Sequence, residues 1–136
     1  MFNLISFGTS VLHFGEYLAL SVSLSAAFLA AYTFITPHDE FCLIRKGDTA
    51  ATIGLVGALI GFVLPLASVV SHSDTLVDVT LWGLVALFVQ LGGFFAASQL
   101  VKDLSTRIEE DQISAGIFSA GISIALGLIN AACLVP

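Results

Sequence analysis

Positive charge is what this chain has least of. Lys and Arg together number 4, against 10 Asp and Glu, too few for a basic face that would neutralise nucleic-acid phosphates. All charged residues together make up 10% of the chain, whereas a soluble domain carries roughly 25%, so the polar material needed to cover a water-facing surface is missing. Cysteine is scarce as well. Cys42 and Cys133 form no C-x-x-C pair, which excludes a disulfide framework and the common zinc and redox spacings; both read as small apolar residues. Proline occurs 3 times, leaving long runs unbroken. What is present is Ala, Val, Ile, Leu and Phe, with 57% hydrophobic residues and a mean hydropathy of +1.03. That excludes disorder and makes the solvent partly lipid. Residues 1–136 read as a single transmembrane domain.

A bilayer core of roughly 30 Å takes about 20 helical residues. Reading between the charges predicts four spans, over about 17–35, from the Gly47-Asp48-Thr49 cap to about 70, about 79–100 and about 113–135. Backbone groups in lipid must be satisfied within the segment, and no alternating barrel pattern occurs, so the fold class is all-α, a polytopic bundle of transmembrane helices. The four cations fall in two loops, Arg45 and Lys46 after the first helix, Lys102 and Arg107 after the third. By the positive-inside rule both loops face the cytoplasm and both termini the periplasm. No basic region precedes the first apolar stretch, so the N terminus is expected to be retained rather than removed with a signal peptide.

A shift of 64 positions aligns the second helix with the fourth at Ala51/Ala115, Ile53/Ile117, Gly57/Gly121, Ile60/Ile124, Leu64/Leu128 and Ala67/Ala131. Each half is helix, charged loop, helix, which predicts two parallel-repeat hairpins over about 9–71 and 74–135. Gly54, Gly57 and Gly61 in the second helix and Gly121 and Gly127 in the fourth supply small-x-x-x-small spacings. In lipid, close backbone approach drives association; these two helices are expected to form the inner pair, and homo-oligomerisation is expected. Pro65 removes the helix partner of the Gly61 carbonyl and predicts a kink.

The run from Ile35-Thr36-Pro37-His38-Asp39-Glu40 through Leu43-Ile44-Arg45-Lys46-Gly47-Asp48-Thr49-Ala50-Ala51 resembles the YjfL-type family of small bacterial inner-membrane proteins. So do Gly57-Ala58-Leu59-Ile60-Gly61-Phe62, Trp82-Gly83, Gln90 and Gly127-Leu128-Ile129-Asn130-Ala131-Ala132-Cys133. The resemblance covers about residues 30–136. It implies tandem two-helix units, no catalytic constellation, no cofactor and an association with membrane-stress proteins.

Among polar residues, Gln90 stands 12 positions from both Asp78 and Lys102, near mid-depth, as an interhelical hydrogen bond or a cavity-lining ligand. His13 and Glu16 sit at i and i+3 near the outer boundary and, with His72, Asp74, Asp78 and Asn130, suggest an acidic outer side. Leu100, Leu104 and Ile108 recur every four residues and predict that the third helix continues beyond the bilayer. Together with Phe41, Leu43 and Ile44 they suggest a cytoplasmic surface for a membrane-stress partner or for the membrane itself. No Ser-His or Cys-His pair is expected to share a level with a third orienting group, so no enzyme is expected. Two readings follow: an oligomeric membrane scaffold or accessory protein of the envelope-stress response, and an oligomeric small-cation channel or transporter.

Overall fold

The computed structural model describes residues 3–134; residue 135, the expected end of the fourth span, lies outside them. Six helices follow in order: α1 (Leu4–Ile35), α2 (Glu40–Arg45), α3 (Thr49–His72), α4 (Leu76–Leu100), α5 (Leu104–Glu109) and α6 (Ile113–Cys133). Four of them, α1, α3, α4 and α6, are long and apolar enough to cross a bilayer. The short pair, α2 and α5, closes one end of the bundle. That end carries Arg45, Lys46, Lys102 and Arg107 and is called the cationic end below.

Helix α1 begins at Leu4, well before the expected start near Tyr17. The Asn3 side chain accepts from the Ile5 N–H and caps it. His13 and Glu16 lie on it with exposed side chains, so the helix runs on through the acid instead of starting after it. Thr9 and Ser10 donate to carbonyls one turn back, which satisfies their hydroxyls within the helix.

The third span also ends differently. Helix α4 stops at Leu100, Val101 is extended and Asp103 takes a left-handed φ of 58°. The chain turns back as α5, and Leu104 and Ile108 are both buried. Four-residue apolar spacing marks one helix face without saying what covers it, and here the bundle covers it. These two residues therefore offer no surface to a cytoplasmic partner.

Helices α3 and α6 run parallel and pack most closely. A Cβ on Gly57 would collide with Ala120, one on Gly116 with the Ala50 backbone, and one on Gly127 with the Gly61 carbonyl. Ser68 donates to the Ala131 carbonyl at 3.1 Å, near the far end of the same seam. Helix α3 continues through Pro65 as one element. The Gly61 carbonyl that proline leaves without a helix donor faces Gly127, where the missing side chain permits the approach. Gly54 and Gly121 meet nothing within 4 Å; Gly54 is buried and Gly121 is exposed.

Side chains cap the cationic end. Asp48 accepts from the Ala51 N–H, and Asp111, at a φ of 56°, accepts from the Ala50 N–H across the bundle at 2.9 Å. Asp111→Ala removes a cap worth about 1 kcal/mol and places a β-carbon in the left-handed region. A loss of about 1.5 kcal/mol is expected, most of it restored by Asp111→Asn, because Asn accepts the same bond and tolerates that conformation. Detergent-titrated unfolding followed by circular dichroism measures both.

Candidate functional site

The core is apolar except along one line. Helix α6 buries Ser119, Ser123 and Asn130 on a single face, spaced by about one and two helical turns. Gln90 from α4 is 2% exposed and donates through Nε2 to the Ser123 carbonyl at 3.1 Å. Asn130 is also buried, with Nδ2 3.5 Å from the Ala86 carbonyl, one turn from Gln90 on α4. Beyond Asn130, toward the end of the bundle opposite the cations, lies a cavity of about 360 Å³ lined by His72, Ser73, Asp78, Trp82 and Cys133 with Val69 and Leu134.

At the cationic end the line continues into a cluster that sequence reasoning did not assemble. Glu40 is 1% and His38 3% exposed. His38 Nε2 lies 3.2 Å from Glu40 Oε1, Thr36 Oγ1 donates to the same oxygen, and His38 Nδ1 meets the half-buried Ser105 hydroxyl of α5. The Tyr32 hydroxyl faces Glu40 and Ser119, the latter outside hydrogen-bonding geometry. Phe94 closes the cluster, edge-on to Tyr32 with ring centres 5.6 Å apart and beside His38 at 6.2 Å.

The local sequence explains why this site forms. Pro37 ends α1 and sets an extended step; Asp39 caps α2 through the Cys42 N–H, which turns Glu40 inward at the first position of α2. Nothing in the helical periodicity shows that inward turn. Thr36, His38 and Glu40 meet within one local turn of chain, and Ser105 is brought to them only by the return of α5, 67 residues after His38.

Ser105, His38 and Glu40 thus do share a level, contrary to the expectation that no Ser-His pair has a third orienting group. The order differs from a hydrolase triad: serine lies on Nδ1 and the carboxylate on Nε2. Every member can both hold and pass a proton. Among the described residues, three buried polar atoms along the line have no hydrogen-bond partner, Glu40 Oε2, Gln90 Oε1 and Ser119 Oγ.

The remaining residues singled out from sequence lie apart from this line. His13 and Glu16 are 3.7 Å from each other on an exposed part of α1, so they do not converge with buried Asn130. Phe41 is exposed, with Leu43 and Ile44 half-buried beside it. Pro65, Gly57, Gly61 and Gly127 serve the packing of α3 on α6 described above. No group of three or more His, Cys, Asp or Glu that could hold a metal ion occurs among the described residues.

The fold and this line define a multi-pass helical membrane protein with a polar interior. Residues 6–134 match the family described as Domain of Unknown Function (DUF350), and the chain belongs to that family. It is 36% identical over 125 residues to the inner membrane protein YjfL of Escherichia coli K12, covering 92% of this chain and 95% of that protein. It is 24% identical over 118 residues to the transmembrane protein YshE of Bacillus subtilis, covering 85% and 88%. No solved structure matches. The chain is an integral, multi-pass protein of the inner, cytoplasmic membrane.

Proposed function

We propose that the chain passes a small cation across the inner membrane through its own interior. One observation carries this reading: the buried polar line from Glu40 through Tyr32, Ser119, Gln90 and Asn130 to the cavity at Asp78. Polar groups at membrane depth are costly and, when ionisable, mark ion or proton pathways. Stability does not account for Gln90. Its interhelical bond contributes about 0.6 kcal/mol, while an unpaired buried oxygen such as its Oε1 costs about 1–3 kcal/mol. A residue that destabilises the bundle it sits in is better explained by what passes it.

The orientation that follows from the positive-inside rule places the cationic end in the cytoplasm and both termini in the periplasm. The parallel-repeat reading belongs here too. Packing partners on α3 and α6 are offset by 63 residues at Gly57/Ala120 and Ser68/Ala131, and by 66 at Ala50/Gly116, bracketing the 64-residue shift that aligns the two sequences. A duplicated hairpin related by an axis along the membrane normal accounts for that agreement. A path inside one chain asks for no second copy, so homo-oligomerisation is a separate expectation, read from the mass of the solubilised particle by light scattering.

The scaffold reading rests on less. With Leu104 and Ile108 inside the bundle, only Phe41 and its half-buried neighbours Leu43 and Ile44 are left as a surface for a membrane-stress partner. A hydrolytic role for Ser105 is not part of the proposal, because the cavities described lie elsewhere.

The test is flux through purified protein in phosphatidylethanolamine/phosphatidylglycerol liposomes, with gradients of H⁺, Na⁺ and K⁺ in turn. Wild type is expected to dissipate at least one gradient. Gln90→Leu is expected to abolish that flux while leaving unfolding stability equal or higher, since it removes the unpaired oxygen. Silence of the wild type under every gradient overturns the proposal.

A further inference from the structure

We infer that the ion is the proton, that Glu40 is its binding site within the bundle, and that Ser105 and His38 form the relay that loads it from the cationic end; the inference rests on the conduction reading above. The geometry of the cluster selects the ion. A hard metal cation asks for about six oxygen ligands. Around Glu40 the candidate donors are its own two oxygens and the Thr36 and Tyr32 hydroxyls, while the His38 ring stands across Oε1. A proton asks for one oxygen: Oε1, which faces His38 Nε2, receives it, and Oε2 is buried and unpartnered beside it.

No cation pairs with the carboxylate among the described residues. Helix α1 presents Tyr32 and Thr36, the connector His38, α5 Ser105, α6 Ser119, and α4 the apolar ring of Phe94. Helices α3, α4 and α6 carry their titratable side chains, His72, Asp78 and Cys133, at the opposite end. On α5, Arg107 is engaged by the Lys102 carbonyl and Gln112. Among the described residues no Lys or Arg lies within ion-pair distance of Glu40.

The relay is set by which atoms touch. Ser105 is half-buried and reaches solvent; His38 joins it to Glu40 with one ring nitrogen on each. As the Ser105 hydroxyl gives its proton to His38 Nδ1, the Nε2 proton passes to Glu40 Oε1, and a hydronium ion of the aqueous phase reprotonates the serine oxygen and leaves as water. The net change is one proton moved from the aqueous phase to the carboxylate, which becomes neutral, with His38 left in its Nδ1–H tautomer until the ring reorients for the next proton. Tyr32 and Ser119 lie next along the line toward Gln90.

Liposomes containing a trapped pH dye, driven by a valinomycin-set K⁺ potential, test this. Wild type is expected to move protons and to move neither Na⁺ nor valinomycin-free K⁺. Glu40→Gln, checked for wild-type helicity and elution, is expected to fall to the rate of empty liposomes. Ser105→Ala, a small change at a half-exposed position, is expected to slow proton entry and keep the fold; an unchanged rate overturns the relay, and this holds even where Glu40→Gln fails to fold. Na⁺ or K⁺ flux that Gln90→Leu abolishes and Glu40→Gln leaves intact overturns the proton inference alone and keeps the conduction reading. Absence of flux for every ion overturns both.

Discussion

Gly127→Ala is expected to destabilise the bundle by about 2 kcal/mol, although alanine is the better helix former. Propensity alone favours the change by up to about 1 kcal/mol. Against it, the added methyl group collides with the Gly61 carbonyl oxygen and with the backbone behind it. No flexible side chain stands there to move aside, so α3 and α6 must separate, and overpacking of this kind costs about 3 kcal/mol. The seam spans the bilayer, and Ala50/Gly116 and Gly57/Ala120 lie on it as well, so the separation also loosens those contacts. Gly121 and Gly54 meet nothing within 4 Å, so Gly121→Ala and Gly54→Ala are expected to be neutral or stabilising. Unfolding in mixed micelles, followed by circular dichroism and by the emission of the single tryptophan, Trp82, separates the three variants. Equal effects at all three positions would remove the close approach as the basis of the pairing.

Phe28→Ala is expected to cost about 3 kcal/mol, at the low end for deletion of a buried phenylalanine ring. Phe28 is 1% exposed, stacks on Phe62 with ring centres 4.7 Å apart and planes 8° from parallel, and sits 5.8 Å from Tyr32. The low end applies because lipid tails are as apolar as the core, which leaves the cavity and lost dispersion as the main terms. Helix α1 buries only Leu24, Phe28 and Tyr32, so its attachment to α3 and α4 depends on this short stretch. The variant is therefore expected to expose the connector after α1, residues 36–39, to protease before the α3–α6 pair unfolds, a difference that limited proteolysis in bicelles detects. Release of the whole bundle in one step would show that α1 is held elsewhere.

Both effects bear on the polar line. The collision at Gly127 occurs beside Gln90, whose Nε2 lies 2.8 Å from where a Gly61 Cβ would stand. Loss of Phe28 loosens Tyr32, which faces Glu40 and Ser119. The groups proposed to carry the ion are held by tight apolar packing on either side, so the packing variants are also expected to reduce flux.

Reading the residues alone went far with the spans and less far with the site. Length and hydropathy placed four crossings, because about 20 apolar residues in a row have few other solutions. The small residues of the second and fourth helices pointed to the pair that packs, since in lipid a missing side chain is itself an interface signal. Gln90 and Asn130 were legible as polar groups in apolar runs. The start of α1 was misplaced because the span was read between charges at about the length of a bilayer crossing, and a helix need not end where the bilayer does. The extension of the third span was misplaced because the spacing of Leu100, Leu104 and Ile108 does not distinguish a continuous helix from one broken at Val101–Asp103 and folded back.

The sequence by itself determined that this chain lives in lipid, crosses it in four helices and separates its cations from its other loops. Those are properties of composition and local periodicity, which act along the chain. The tertiary structure alone decided that Ser105 meets His38 beside Glu40 and that Leu104 and Ile108 close the bundle instead of leaving it. Each of those depends on contacts between segments far apart in the chain, where burial is set by what the partner helix covers and not by the residue that is covered.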